Sequence, residues 1–227
     1  MRIRHFEQNN EGRDIAVGDI HGHFSQLQKE LKRIGFDGRV DRLFGVGDLV
    51  DRGPENREAF FWLNKPWFFS VRGNHDDYVA RYDTAKHDTW LGRAGKWFDE
   101  YEPDEKAMFA EPFRGMPYVI DIETPQGLIG LVHADPLFFC WDQLVGEITN
   151  PANAKRLKQI RESCMHSRRR FDFKEEEEVS GVRAVMVGHN PVNEVLKLGN
   201  VYHIDTRGWL PDSGYFTLMD LHTLQPL

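Results

Sequence analysis

Five short stretches of this chain end an apolar run with residues that can hold metal ions. They are GDIHG (Gly18–Gly22), GDLVDRG (Gly47–Gly53), GNHD (Gly73–Asp76), VHAD with His133, and GHN (Gly188–Asn190). Each places Asp, His or Asn where a strand would end. Small carboxylate, imidazole and amide ligands converging from several strand ends can hold two divalent metals, and such a centre hydrolyses phosphate esters. Mixed Asp, Asn and His donors without thiolate suit Mn²⁺, Fe²⁺ or Zn²⁺.

Each motif is weak alone. Asp19 and His21 are two apart in an extended stretch, so both side chains can point toward one ion. A D-x-H after a strand is still more often a polar turn than a ligand pair. Asp48 follows a strand and a glycine, at the edge where open α/β sheets bind ligands. Gly45-Val46-Gly47 also suggests a dinucleotide fingerprint, but Val50 stands at the third glycine position and Asp48 would repel a pyrophosphate. That alternative is rejected. Arg52, beside Asp51, could form a structural ion pair or grip a phosphate with both arms of its guanidinium. Asn74 adds a neutral oxygen and His75 an imidazole. A lone histidine is usually packed or solvated; His133 and His189 stand out only because both end strands in series with the earlier motifs. His5, His23, His87, His166, His203 and His222 keep the ordinary reading. Arg168, Arg169 and Arg170 form a run that reads as a solvated helix face unless a phosphate needs a second cation. Glu175–Glu178 reads as a solvated loop.

The elements that must position these residues come from the apolar pattern. DIAV (Asp14–Val17), RLFGV (Arg42–Val46) and WFFSV (Trp67–Val71) read as buried strands. Between the first two lies a helix with Leu27, Leu31 and Ile34 at helical spacing, Ser25 as its N-cap, and an end at Gly35–Gly38. A second helix carries Phe60, Phe61 and Leu63, with Pro54 suited to its start. The aromatics Phe60, Phe61, Trp62, Trp67, Phe68 and Phe69 read as core. This β-α-β-α-β order predicts a parallel sheet covered by helices. Residues 77–112 are amphipathic and read as a helical insertion beside the site. Tyr118–Glu123 and Leu128–Val132 form a hairpin pattern. Pro151 to Arg170 reads as helix, and Arg183–Val187, Val201–Asp205 and Tyr215–Leu221 as strands. The late strands lack long helices between them, which predicts a second, more antiparallel sheet. The expected architecture is α/β: two sheets face to face, helices outside, the metal site at strand C-terminal ends.

At 227 residues the chain fits one domain, 1–227. A net charge of −7 disfavours broad binding to nucleic acid or anionic membranes. The two cysteines, Cys140 and Cys164, read as reduced thiols. No stretch approaches the ~20 apolar residues of a membrane span, and the N-terminal residues lack an apolar leader core. The expectation is a soluble, cytoplasmic protein.

The ordered series resembles the metal-dependent phosphoprotein phosphatases, and within them the bacterial and bacteriophage-lambda type of serine/threonine phosphatase. FGVGDLVDRGPEN, VRGNHD, VHAD, VGHNP and HIDT carry the likeness over most of the chain. The resemblance implies a metal on Asp19, His21 and Asp48 and a second on Asp48, Asn74, His133 and His189, with Mn²⁺ as first choice. It implies Arg52 as a phosphate-binding arginine, and His75 as catalytic histidine with Asp51 as its carboxylate partner. In HSRRR it points to Arg168 as the second phosphate arginine, with Arg169 and Arg170 behind it. The implied reaction is hydrolysis of a phosphomonoester by a water or hydroxide bridging the metals. The implied substrate is a phosphoprotein or phosphopeptide. Asp76, Asn190, His166 and Arg207 depart from the usual pattern. Asp76 in GNHD is shared with dinucleoside-tetraphosphate hydrolases, whereas Asp51 favours the protein phosphatases. Nucleotide or small-molecule substrates are the alternatives within catalysis, and an inactive metal-binding scaffold is the alternative outside it.

Overall fold

The computed structural model describes residues 2–84, 94–210 and 212–227. Residues 85–93, within the stretch 77–112 read as a helical insertion, lie outside the described residues, as does His87. The strands are β1 (Ile3–Phe6), β2 (Asp14–Val17), β3 (Arg42–Gly45), β4 (Phe68–Ser70), β5 (Val119–Ile122), β6 (Ile129–Leu131), β7 (Ala184–Val187), β8 (Leu196–Leu198), β9 (Val201–His203), β10 (Leu218–Asp220) and β11 (Gln225–Pro226). They form a sheet ordered β11-β10-β2-β3-β4 and another ordered β1-β5-β6-β7-β9-β8.

The sheets pack face to face because alternate residues of each strand serve different layers. Ala16, Phe44, Ile120, Ile122, Leu131 and Met186 meet between the sheets. Their neighbours Ile15, Val17 and Leu43 face outward toward α1 (Phe24–Arg33) and α2 (Glu58–Leu63). On the other side Val119, Val185 and Val187 face α6 (Trp141–Thr149) and α7 (Ala154–His166). Strands buried on both faces must be apolar throughout, which is why they read as continuous runs. Fully burying one such side chain, Phe44 for instance, contributes roughly 1.5–3 kcal/mol. The remaining helices are α3 (Asn74–Ala80), α4 (Lys96–Asp99), α5 (Pro103–Gly115) and α8 (Arg169–Phe173). No helix among the described residues is long and apolar enough to cross a membrane.

Several local expectations are corrected. Ser25 lies inside α1 rather than capping it; the side chain of Glu55 accepts from Ser25 N–H at 2.8 Å and takes over that role. The second helix starts at Glu58, not Pro54. Phe61 is 58% exposed and is not core. The helical stretch ending at Arg170 breaks at Ser167 and Arg168 before α8. The second sheet is not the more antiparallel one. Its β1–β5, β6–β7 and β7–β9 pairs are parallel, while β10 pairs antiparallel with β2 in the first sheet. The reason is chain routing: α6–α8 carry the chain from β6 back to start β7 alongside it, and β10 crosses to the other sheet.

Candidate active site

Two sets of parallel strands, β2-β3-β4 and β6-β7-β9, bring their C-terminal ends to one place. Asp19, Asp48 and Asn74 follow β2, β3 and β4, and His133 and His189 follow β6 and β7. The loops are tied together by backbone bonds: His21 N–H donates to Asp48 O at 2.9 Å, Gly22 N–H to Leu49 O at 2.9 Å and Gly188 N–H to His133 O at 2.8 Å. His21, Asp48 and His189 sit at φ 44°, 51° and 64°. Left-handed backbone at non-glycine residues costs on the order of 1–3 kcal/mol each, and such strain concentrates at functional sites. Gly188 is required beside it, because a Cβ there would overlap the Asp19 carboxylate.

The polar atoms are arranged for cations. The ring of His133 is fully buried, and its Nδ1–H donates to Val46 O at 2.7 Å. Its Nε2 then faces Asp48 Oδ2 at 3.3 Å and Asn74 Oδ1 at 3.1 Å, both acceptors. His21 repeats the device: Nδ1–H donates to Val50 O at 2.8 Å, and the buried Nε2 has no hydrogen-bond partner among the described residues. That Nε2 lies 3.7 Å from Asp48 Oδ2 and 3.9 Å from Asp19 Oδ2. Asn74 Oδ1 also faces His189 Nδ1 at 3.0 Å. The unpartnered Nε2 of His21 and the acceptor oxygens of Asp48 and Asn74 converge where metal ions would satisfy them, and backbone-held imidazoles are the usual way to orient such ligands. The residues present therefore fit a dinuclear divalent centre. Two groups of potential ligand atoms emerge, His21-Asp48-His75 and Asp48-His133-His189, sharing Asp48.

Electrostatics follow the same division. Burial, then Asp205 and Asp48, push the Asp19 carboxyl well up. Burial alone would raise Asp48 too, but the imidazoles of His133, His75 and His21 hold it well below the usual carboxylate range. Burial drives His21 well down, and drives His189 to about 3 with help from His133, His166 and Arg168. His75 runs the other way: burial opposes its charge, but Asp48 and Asp51 raise it. Its Nδ1–H donates to Asp51 Oδ2 at 2.5 Å, and Asp51 is fully buried.

Arg52 is exposed at the mouth, its guanidinium 4.2 Å over the ring of Trp209. The three arginines after Ser167 separate sharply. Arg170 is buried, its Nη1 donating to Glu175 O and Glu177 O at 2.7 Å. Arg169 pairs with Glu175 at 2.9 Å. Arg168 is half-exposed, near Asp172, and close enough to His189 for its charge to disfavour that imidazolium.

Other residues around the site were given no role in it by the sequence. Asp76 accepts from the N–H groups of Asp48, Leu49 and Gly73 at 2.8, 2.9 and 2.9 Å, tying two motif loops together. Burial and Asp48 raise its carboxyl to about 7. Its position three residues after Gly73, at the start of a helix, is a capping pattern that sequence could have shown. Asp205, two residues past β9, is buried and accepts from Trp209 Nε1–H at 3.1 Å; the HIDT strand end was the available signal. His166, read as ordinary, lies 6.5 Å ring to ring from His189. A cavity of about 800 Å³ between α1 and α2, lined by Lys29, Trp62 and Trp67 among others, shares no residue with the site.

The sequence matches the family described as calcineurin-like phosphoesterase over residues 15–208. The chain belongs to that family. This phosphoesterase is 30% identical to serine/threonine-protein phosphatase 2 of Escherichia coli (strain K12) over 204 residues, 88% of each chain. It is 44% identical over 66 residues to a symmetrical bis(5'-nucleosyl)-tetraphosphatase of Dechloromonas aromatica (strain RCB), covering 28% of this chain and 24% of that one. Among solved structures, a protein provisionally named a diadenosine tetraphosphatase superposes with a TM-score of 0.68 at 19% identity, covering 100% of this phosphoesterase and 96% of the other. The two-sheet fold and the class, a metal-binding phosphoric-ester hydrolase, follow from these likenesses and from the geometry.

Proposed function

We propose that this phosphoesterase is a serine/threonine phosphoprotein phosphatase that hydrolyses phosphomonoesters directly, without a phosphoenzyme. The observation that carries the reading is the buried contact between His75 and Asp51 at 2.5 Å. A serine alkoxide is a poor leaving group and must receive a proton as the P–O bond breaks; a nucleotide leaving from a phosphoanhydride needs no such help. A positioned acid typically accelerates the first kind of reaction ~100- to 10,000-fold. The relative from E. coli, named a serine/threonine phosphatase, spans 88% of both chains, whereas the relatives named tetraphosphatases match 28% to 51% of this one.

In this proposal one metal is held by Asp19, His21 and Asp48 and the other by Asp48, Asn74, His133 and His189. Two divalent ions so held, Mn²⁺ in the first instance, with Fe²⁺ and Zn²⁺ as alternates, lower the pKa of water and neutralise phosphate charge. Arg52 and Arg168 bind the equatorial phosphate oxygens with paired N–H donors. Trp209, whose ring lies under the Arg52 guanidinium, limits the directions in which that guanidinium can point. His75 acts as the acid, not as a ligand: its Nδ1–H donates to Asp51, the imidazolium is favoured by that carboxylate, and Nε2–H passes its proton to the departing oxygen.

The test is hydrolysis by metal-stripped protein with and without Mn²⁺ on a phosphoserine peptide, p-nitrophenyl phosphate and diadenosine tetraphosphate in parallel. Mn²⁺-dependent turnover that favours the peptide supports the proposal. A kcat/KM highest for the dinucleotide moves the activity to tetraphosphate hydrolysis, the reading that Asp76 and the provisionally named tetraphosphatase fold favour. Metal binding with no turnover on any substrate overturns both.

A further inference from the structure

One contact to the His75–Asp51 pair arrives from outside the strand-end loops. The Asp51 carboxylate is fully buried and uses both oxygens. Oδ2 accepts from His75 Nδ1–H at 2.5 Å, and Oδ1 accepts from the indole Nε1–H of Trp97 at 2.6 Å. Trp97 belongs to α4 and is itself packed edge-on against Phe98, Tyr101 and Phe109, with ring centres 5.3, 6.0 and 5.6 Å away. Tyr101 in turn accepts from Arg57 Nε–H at 2.9 Å, which ties α4 to the start of α2.

We propose that Trp97 is a positioning residue for the general acid, so that the α4–α5 region takes part in leaving-group protonation. The inference rests on the acid role of His75 proposed above. The plane of an aspartate carboxylate turns about a broad two-fold torsion, and one hydrogen bond on Oδ2 leaves that plane free to swing. A second bond on Oδ1, from a ring wedged among three aromatic neighbours, fixes it. His75 then keeps its Nδ1–H on Asp51 and its Nε2–H directed into the site. The chemistry of the donor also matters. An indole N–H is neutral, so it satisfies Oδ1 without bringing a positive charge to compete with the His75 imidazolium for the same carboxylate. An arginine or lysine in its place would weaken that pairing.

The experiment compares wild type, Trp97→Phe, Trp97→His and His75→Ala on p-nitrophenyl phosphate, whose leaving group is stable as an anion, and on an alkyl phosphate monoester, whose leaving group needs the proton. Trp97→Phe is expected to lower kcat on the alkyl ester by roughly tenfold more than on p-nitrophenyl phosphate, with KM little changed, since misplacing a reacting group by ~1 Å can cost ~100-fold. Trp97→His is expected to recover most of the difference at alkaline pH, where the new imidazole is neutral, because its Nε2 occupies the same place in a five-membered ring as the indole Nε1. In metal-stripped protein, the Trp97 indole N–H should give a downfield nuclear magnetic resonance signal that moves in Asp51→Asn. Equal losses on both substrates in Trp97→Phe, no rescue by Trp97→His, or an indole signal insensitive to Asp51→Asn would each overturn the proposal. If His75→Ala discriminates between the two leaving groups and Trp97→Phe does not, the role of Trp97 alone falls. If His75→Ala does not discriminate either, the acid reading falls and takes this inference with it.

Discussion

Asp48 and Arg52 share one loop, yet Asp48 is 2% exposed among three imidazoles while Arg52 lies open to solvent across Trp209. The same split runs through the whole site. The floor, with Asp19, His21, Asp48 and His133, is buried and held by the backbone: carbonyls of Val46 and Val50 orient the rings, and Asp76 gathers three N–H groups beneath the carboxylate. The rim, with Arg52 and Arg168, is held by side-chain contacts alone, a stacked indole and an aspartate at 3.5 Å. His75 sits between, its backbone N–H on Asp48 and its ring on Asp51. A backbone-held floor has one geometry and suits metals, which tolerate little error in ligand position. A rim held by side chains can adjust to the substrate, and it is where members of one family can differ in what they hydrolyse.

The division can be broken at several depths. The largest effect is expected at Asp48, which both ligand groups share. Asp48→Asn should lose more than one equivalent of bound metal and more than ~100-fold in kcat/KM, beyond the 10- to 100-fold typical of partners behind a ligand. Metal content by atomic spectroscopy beside steady-state rates checks this; full metal with full activity would mean the floor is not the metal site. Next is His75→Ala. Metal content should hold near the wild-type value while kcat on a phosphoserine peptide falls ~100- to 10,000-fold. Loss of one metal in that variant would place His75 among the ligands, as the His21-Asp48-His75 group geometrically allows.

At the rim, Arg168→Ala should lower kcat/KM roughly 10- to 100-fold with metal retained, the size of a lost charge-assisted hydrogen bond. Arg169→Ala, by contrast, should stay within about twofold, as for ordinary surface changes. Equal effects at the two positions would show that the rim does not single out Arg168.

The smallest effect sharpens the comparison from outside the site. His203 is buried like the floor histidines, but neither ring nitrogen has a hydrogen-bond partner among the described residues. Burial, Arg170 and Lys174 push it down to about 4. Because the folded state binds this proton less readily than the unfolded chain, His203 leaves stability independent of pH above about 6.5 and erodes it as pH falls toward about 4. At about 1.4 kcal/mol per pH unit the ceiling is on the order of 3 kcal/mol. Urea unfolding of metal-stripped protein at pH 7 and pH 4.5 should show a shallower acid decline in His203→Leu than in wild type. An identical decline would assign it to other groups.

The parallel strands of the first sheet and their strand-end motifs were legible because each is local: a mostly buried apolar run, a glycine, then a carboxylate or amide, within a dozen residues. β1 and β8 were not. They are short, with burial that varies along the strand, and IRHF sets two polar residues between two apolar ones, so that only its pairing with β5 makes it a strand. The three adjacent arginines could not be ranked by type; the break at Ser167 and the turn into α8 send Arg170 inward and leave Arg168 at the rim. Trp97 was beyond reach, since it meets Asp51 across 46 residues with no spacing rule to announce it.

By itself, then, the sequence determined the chemical kinds of donor and the strand ends that carry them, because ligand type and turn are properties of a few consecutive residues. Convergence was decided by tertiary structure. Asp48 and His133 become neighbours only when Phe44 and Val46 of one sheet pack against Leu131 and Met186 of the other. That burial also excludes water, and in its absence the Nε2 atom of His21 is left to a cation rather than to solvent.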